Sequence, residues 1–434
     1  MPRSPVAVPA RSFAVERTTL DNGLRVVLAP DRSAPVVAVA VYYDVGIRSE
    51  PEGRTGFAHL FEHLMFQGSA SLGKMEHVTY VQSSGGTLNG STRLDYTNYY
   101  EALPSHALER ALFLEADRMR SPAVTEENLA NQIAVVEEEI RVNVLNQPYG
   151  GFPWLTLPPV LFTTFPNAHN GYGAFDDLES ATVQDAQDFF DRYYAPGNAV
   201  LAVGGDLDSS ETLELVQRHF GDVPARAVPP RPDFDEPTPD SEQRAEQVDP
   251  LAPAPAVALG WRLPDPADLD AYLPFVVASS VLTTGDASRL RRRLVQTDRL
   301  ATDIGSHLGV MGDPFDVRHP APFVVEAHHP PDVATDDVVT AVDEEIDRLA
   351  ADGLEPGELA RVQARIGSSL VQGQDHILGR TLAMAVFEQQ RDRAELVGDL
   401  PALLGEVGEE AVRRAAQQLR PDRRARLDLM VGVQ

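Results

Sequence analysis

The chain has 434 residues, 43% of them hydrophobic, with 65 acidic against 37 basic side chains, a net charge of −28 and no cysteine. Such a charge argues against a nucleic-acid partner, because phosphate repels it. The lack of cysteine excludes a disulfide framework and suits a reducing compartment, read here as cytoplasmic. Met1-Pro2-Arg3-Ser4-Pro5 lacks an apolar leader and no run of about 18 apolar residues follows anywhere, so no membrane span is expected.

Thr19 to Leu28, turning at Asp21-Asn22-Gly23, and the apolar run Val36 to Tyr43 read as an antiparallel pair opening a first sheet. His59-Leu60-Phe61-Glu62-His63 comes next. On a helix, His59 and His63 lie one turn apart on one face, close enough to share a metal ion. Glu62 sits beside them, where a carboxylate can take a proton from water. The order H-x-x-E-H is the inverse of the better known H-E-x-x-H zinc motif. Phe57, Ala58, Leu60, Phe61, Leu64, Met65 and Phe66 surround it with apolar side chains. Burying three polar groups there without a partner costs several kcal/mol, and a metal supplies the partner. The bland alternative is an amphipathic helix with two incidental histidines.

Gly68 to Lys74 matches G-x-x-x-x-G-K, but Met75 stands where a phosphate loop needs Ser or Thr, and the segment follows a helix. Nucleotide binding is set aside. Gly85 to Thr92 reads as a Gly-rich turn into a strand. A helix is predicted from Thr125 as N-cap, with Glu126 and Glu127 in its first turn and Leu129, Ile133, Val136 and Ile140 at helical spacing. A catalytic zinc takes three protein ligands and leaves one position open, so the two histidines need a third. The run Glu137-Glu138-Glu139 offers it, and helical geometry lets at most one or two of these face the metal.

Ala199 to Gly204 is a later strand and Ser209 to Phe220 the helix after it. Residues 224–254 are rich in Pro, Asp and Glu and read as an extended linker, dividing the chain into 1–223 and 255–434. The second half looks like a copy of the first. Pro255 to Trp261 matches the strand at Val36, Leu273 to Leu282 the metal helix, and Gly285 matches Gly68. In that alignment Val276, Ser279 and Ser280 stand where His59, Glu62 and His63 do, so the copy lacks metal ligands. Further helices are expected near 335–352, 355–372 and 409–419.

From the H-x-x-E-H core through the acidic helix, the chain resembles the pitrilysin and mitochondrial processing peptidase family of zinc endopeptidases, in its half-sized bacterial form. That family's third ligand is a glutamate about 76 residues after the second histidine, within a stretch like V-V-x-x-E-x-R. Val135-Val136-Glu137-Glu138-Glu139-Ile140-Arg141 fits, and the resemblance selects Glu139. It implies one Zn2+ per chain on His59, His63 and Glu139, with Glu62 as general base. It also implies an α+β fold of two homologous domains, each a mostly antiparallel sheet packed with helices. Gly85 to Thr92 with Asp95, Thr97 and Tyr99 is similar to a substrate-contacting stretch of the family, which makes Asn89 the substrate-binding candidate. Asp117-Arg118 and Asn146 to Gly150 resemble stretches of bacterial members and are read as structural.

There are two departures. Many relatives carry a supporting glutamate seven residues before the third ligand, and here that position is Gln132. Active relatives also carry an Arg/Tyr pair in the second half, where this chain has Val295 and Thr302. The resemblance then implies a peptide hydrolase that is the zinc-bearing subunit of a heterodimer, its homologous partner supplying the Arg/Tyr pair, with a homodimer as the second arrangement. A non-catalytic scaffold subunit is the alternative function. An intact metal motif argues against it, and the lack of cysteine argues against a purely structural zinc site.

Overall fold

The computed structural model describes residues 10–311 and 313–432, so the Met1–Pro5 stretch lies outside the described residues. It is an α+β fold built on two sheets. The first contains β1 (Glu16–Thr19), β2 (Arg25–Pro30), β3 (Val36–Tyr43), β4 (Thr87–Thr92), β5 (Thr97–Pro104) and β6 (Ala199–Gly205), in the order β1-β2-β6-β3-β5-β4. The second contains β7 (Gln243–Asp249), β8 (Ala256–Arg262), β9 (Asp303–Leu308), β10 (Pro322–His328) and β11 (Arg424–Val431), in the order β7-β11-β8-β10-β9. Apart from β1, the two orders are the same. Each has one parallel pair, β2 with β6 and β7 with β11, and is otherwise antiparallel. Both leave a strand with only one neighbour, β4 and β9, at the corresponding edge.

Two sequence expectations need correction. β2 and β3 are not neighbours, because β6 lies between them, parallel to β2 and antiparallel to β3. Only the β1–β2 hairpin is local, closing through Leu20 to Leu24. The proposed linker also contains a strand: β7 runs from Gln243 to Asp249 along the edge of the second sheet, parallel to β11. Its outward-facing polar side chains leave no apolar alternation to read, which hides it among the prolines.

β3 is apolar at all eight positions because both of its faces are covered. Val37, Val39, Val41 and Tyr43 join the first-half core, together with Phe57, Phe61 and Leu64 of helix α1 (Phe57–Leu64) and Leu112 and Met119 of a later helix. Ala40 and Tyr42 face the other way, into a core made largely of second-half residues. Among the helices, α2 (Glu76–Ser83), α3 (Leu108–Arg120) and α4 (Glu126–Ile140) pack in the first half, α5 (Pro158–Leu161) follows them, and α6 (Leu269–Thr283) and α7 (Ile377–Arg391) belong to the second.

The halves cover each other. α7 lies on β3 and β6 of the first sheet. It comes so close that a Cβ on Gly204 would stand 2.3 Å from Thr381 Oγ1. In return, Leu157 and Leu161 beside and within α5 pack with Ala256, Ala258, Val324 and Leu427 on the second sheet. Buried links reinforce the exchange: Arg48 pairs with Asp95 at 3.3 Å and also donates to the carbonyls of Arg318 and Pro320.

Candidate metal centre

α1 carries the motif, and its start is built with care. Gly56, with φ +83°, precedes Phe57 and leaves the first N–H groups of the helix pointing at a carboxylate. Glu50 accepts from Gly56 N at 2.8 Å and from Ala58 N at 2.7 Å, satisfying donors that the helix cannot. Glu50 is fully buried, and His169 Nε2 meets it at 3.0 Å. Burial raises the Glu50 carboxyl, and the His169 contact works against that rise.

His59 and His63 face α4, where Thr125 caps the helix by accepting from Asn128 N at 3.1 Å. Glu139 Oε2 lies 3.5 Å from His59 Nε2 and 3.7 Å from His63 Nε2, and the two imidazole nitrogens are 3.3 Å apart. Tetrahedral ligation with bonds of about 2.0–2.1 Å sets ligand atoms roughly 3.3–3.4 Å apart, so these donors fit one zinc ion. The neighbouring carboxylates are engaged elsewhere: Glu137 holds Arg141 at 3.0 Å and Glu138 holds it at 3.4 Å. Burial and the adjacent His63 depress His59 to about 3, keeping it neutral with its lone pair available.

Glu62 projects from the same helix towards β4, and Thr92 Oγ1 donates to its Oε2 at 2.7 Å. Burial raises the Glu62 carboxyl against that hydrogen bond. His59 and Glu62 line a cavity of about 690 Å³. Gly90 to Leu94 form one side, Phe152, Trp154 and Tyr172 another, and His307, Val310, Met311 and Glu326 of the second half close it. This arrangement can hold a hydrolytic metal beside a base, with room for a peptide.

Two expected participants stand apart. Asn89 is exposed on β4, its Oδ1 accepts from Gly90 N at 2.9 Å, and the cavity wall begins one residue later. Gln132 is buried at 5%, yet its amide donates to Asn131 at 2.9 Å, and among the described residues no hydrogen bond joins it to Glu139. A neutral amide there has found a neighbour on its own helix instead of a ligand. Asp117 is structural as expected: it accepts from Ser71 N at 3.1 Å and Ser71 Oγ at 2.8 Å, bracing the loop after α1. Tyr149 donates from its hydroxyl to Ala254 O at 2.8 Å, tying the first half to the segment just before β8.

In the second half, Val276 and Ser279 are buried in α6, where Ser279 Oγ meets Ser306 Oγ at 2.8 Å. A serine pair thus joins α6 to β9 much as Glu62 and Thr92 join α1 to β4. Val295 packs partly buried against the core, and Thr302 Oγ1 donates to His328 O at 3.1 Å. Sequence reasoning missed Thr92 as the partner of Glu62, and missed Glu50 and Tyr172. Only Thr92 had a signal, its place in the stretch already singled out.

Residues 25–149 match the family described as Insulinase (Peptidase family M16), and residues 180–366 match its companion, Peptidase M16 inactive domain. The chain belongs to this family of metallopeptidases, the pitrilysin family. It is 33% identical over 301 residues to the zinc protease PqqE of Helicobacter pylori, covering 67% of this chain and 66% of that one. It is 28% identical over 208 residues to subunit beta of the mitochondrial-processing peptidase of Bos taurus, covering 47% of this chain and 41% of that one. The matched stretches therefore span less than two thirds of either relative. The crystal structure of a protease from Helicobacter pylori superposes with a TM-score of 0.89 at 26% identity, over 96% of this chain and 100% of that one. Among the described residues no helix is long and apolar enough to cross a membrane.

Proposed function

We propose that this chain is a zinc-dependent endopeptidase that hydrolyses peptides or unfolded segments. The observation that carries the reading is the convergence of His59, His63 and Glu139 donors within 3.3–3.7 Å of one another, beside Glu62 and an open cavity. Zinc on that triad would acidify water and polarise the scissile carbonyl. Glu62 takes the proton from the attacking water and returns it to the leaving amine, and the Thr92 hydrogen bond holds its carboxylate for the task. The cavity walls orient the peptide.

We further assign this chain as the zinc-bearing half of a heterodimer, working in the cytoplasm. Val295 and Thr302 supply neither a guanidinium nor a phenol, and one relative is by name a subunit of a processing peptidase. The intact triad supports an enzyme over a scaffold. The test is hydrolysis of a fluorogenic unfolded peptide by the zinc-loaded protein, with zinc measured alongside. Chelator-sensitive turnover that Glu62→Gln abolishes while keeping its zinc supports the reading. Turnover unchanged in Glu62→Gln would sink it. Co-purification from the source cells tests the partner: recovery as a homodimer alone would overturn the heterodimer.

A further inference from the structure

The residues that could face a substrate from the metal side of the cavity are few, and most are already committed. Arg48 is spent on Asp95 and two carbonyls. Arg93 lies 3.7 Å from Asp316, Asn167 donates to Phe234 O, and Ser91 donates to Asn98. His169 is held by Glu50 and Phe165. Tyr172 differs: the side chain of Asn143 meets its hydroxyl in a contact that favours the ionised oxygen, and among the described residues the O–H donates to no carbonyl or carboxylate.

Its position is fixed from several sides. The ring stands edge-to-face on the ligand His59, with centroids 5.1 Å apart at 82°, and Trp154 packs on it at 5.4 Å and 62°. The backbone beneath is clamped to the start of the metal helix. A Cβ on Gly56 would lie 2.5 Å from Tyr172 O and 2.9 Å from Gly173 Cα, and a Cβ on Gly171 would lie 2.3 Å from Ile47 Cδ1. Gly173, at φ +89°, takes a conformation that other residues rarely adopt. Tyr172 N also donates to Asn170 Oδ1 at 2.8 Å. The loop therefore cannot slide away from α1 without breaking backbone contacts. Tyr172 lines the same cavity as His59 and Glu62, within reach of the charges of Glu139 and Glu62.

We propose that Tyr172 is a catalytic residue of this site: its hydroxyl donates a hydrogen bond to the scissile carbonyl oxygen as negative charge develops there. No proton is transferred by it; the phenol remains neutral throughout. The inference rests on the endopeptidase reading above. It gives the chain, in its own first half, a phenol donor of a kind that Thr302 cannot provide.

Tyr172→Phe keeps the ring that packs on His59 and removes the hydroxyl together with its Asn143 contact, so zinc lost reports a structural role and kcat lost with zinc kept reports the donor. The experiment compares zinc-loaded wild-type and Tyr172→Phe protein for zinc content, for kcat and KM on a fluorogenic peptide, and for calorimetric affinity towards a phosphinic peptide, a mimic of the tetrahedral state. Loss of one such donor typically costs about 10²-fold in kcat. The expected result is a fall of about that size in kcat, a comparable loss of phosphinic-peptide affinity, and KM and zinc content close to wild type. Equal kcat and equal phosphinic affinity in the two proteins would overturn the inference while leaving the endopeptidase reading intact. Zinc lost together with activity would overturn it too, making Tyr172 a positioning residue. Should the wild type turn over slowly, the phosphinic affinities still decide. A wild type that neither cleaves peptide nor binds the phosphinate would defeat both readings together.

Discussion

Thr92 Oγ1 donates to Glu62 Oε2 at 2.7 Å, joining the edge strand β4 to helix α1 through the proposed general base. β4 is also the strand whose outer edge lies open beside the cavity. A peptide that pairs along β4 would thus lie next to the carboxylate that the same strand holds in place.

Thr92→Val should remove that hydrogen bond and preserve the shape of the side chain. A single neutral-to-charged hydrogen bond contributes about 1.5–3 kcal/mol, part of which water can replace at a cavity wall. Peptide hydrolysis should fall roughly tenfold, with zinc content unchanged. Wild-type kcat in the variant would show that Glu62 needs no such support.

Glu139→Ala should release zinc. Even residues that merely support ligands cost about 10–100-fold in metal affinity, so loss of a ligand should exceed that. Elemental analysis after dialysis against a weak chelator reads the outcome. Retained stoichiometric zinc in Glu139→Ala, with loss in Glu137→Ala, would move the third ligand to Glu137.

A second group of ionisable residues is buried far from solvent. His77 of α2 lies 3.4 Å from Glu101 of β5 and 3.9 Å from Glu115 of α3, and Arg118 donates to Glu115 at 3.0 Å. Burial lifts Glu101 and Glu115 to about 7, and drops His77 to about 3. The carboxyls hold protons more tightly when folded, so stability is lost as pH rises from their unfolded value of 4.5 through about 7. His77 acts oppositely, losing stability as pH falls from 6.5 towards about 3. Glu101→Gln cannot ionise, so its Tm should drop less than that of the wild type between about pH 5 and about pH 8. Parallel Tm profiles would show that this group does not govern the alkaline loss.

Gly204→Val should destabilise the protein by about 1–3 kcal/mol, the usual cost of overpacking, because its Cβ would meet Thr381 Oγ1 at 2.3 Å. Pairing with Thr381→Ala should recover part of the loss, as neighbours that share a contact do not add independently. Urea unfolding of the single and double variants measures both. Additive effects would mean that α7 shifts instead of clashing.

Helix α1 was legible because its signal is local: two histidines and a carboxylate within five residues, set in an apolar helical pattern. Glu139 was not separable from Glu137 and Glu138 by periodicity, and only the family resemblance chose it. The place of β6 between β2 and β3 was invisible, since nothing in Val36 to Tyr43 says which strand pairs from more than 150 residues away. α7 escaped notice because it buries Arg380, Thr381, Glu388 and Gln389 along with its apolar residues, blurring the stripe that marks an amphipathic helix. Tyr172 had no sequence signal at all; its meaning comes from the glycines that press its backbone against α1.

The mutual covering of the sheets by α5 and α7 bears on how the molecule comes apart. Each half lends a piece that finishes the other's interior, so severing the chain between them cannot yield two self-sufficient fragments. A protease nick within 224–242, a stretch without helix or strand, should leave the pieces bound to each other and melting together. Heat and denaturant then meet one cooperative body, in which damage to the second half is felt at the candidate metal centre of the first.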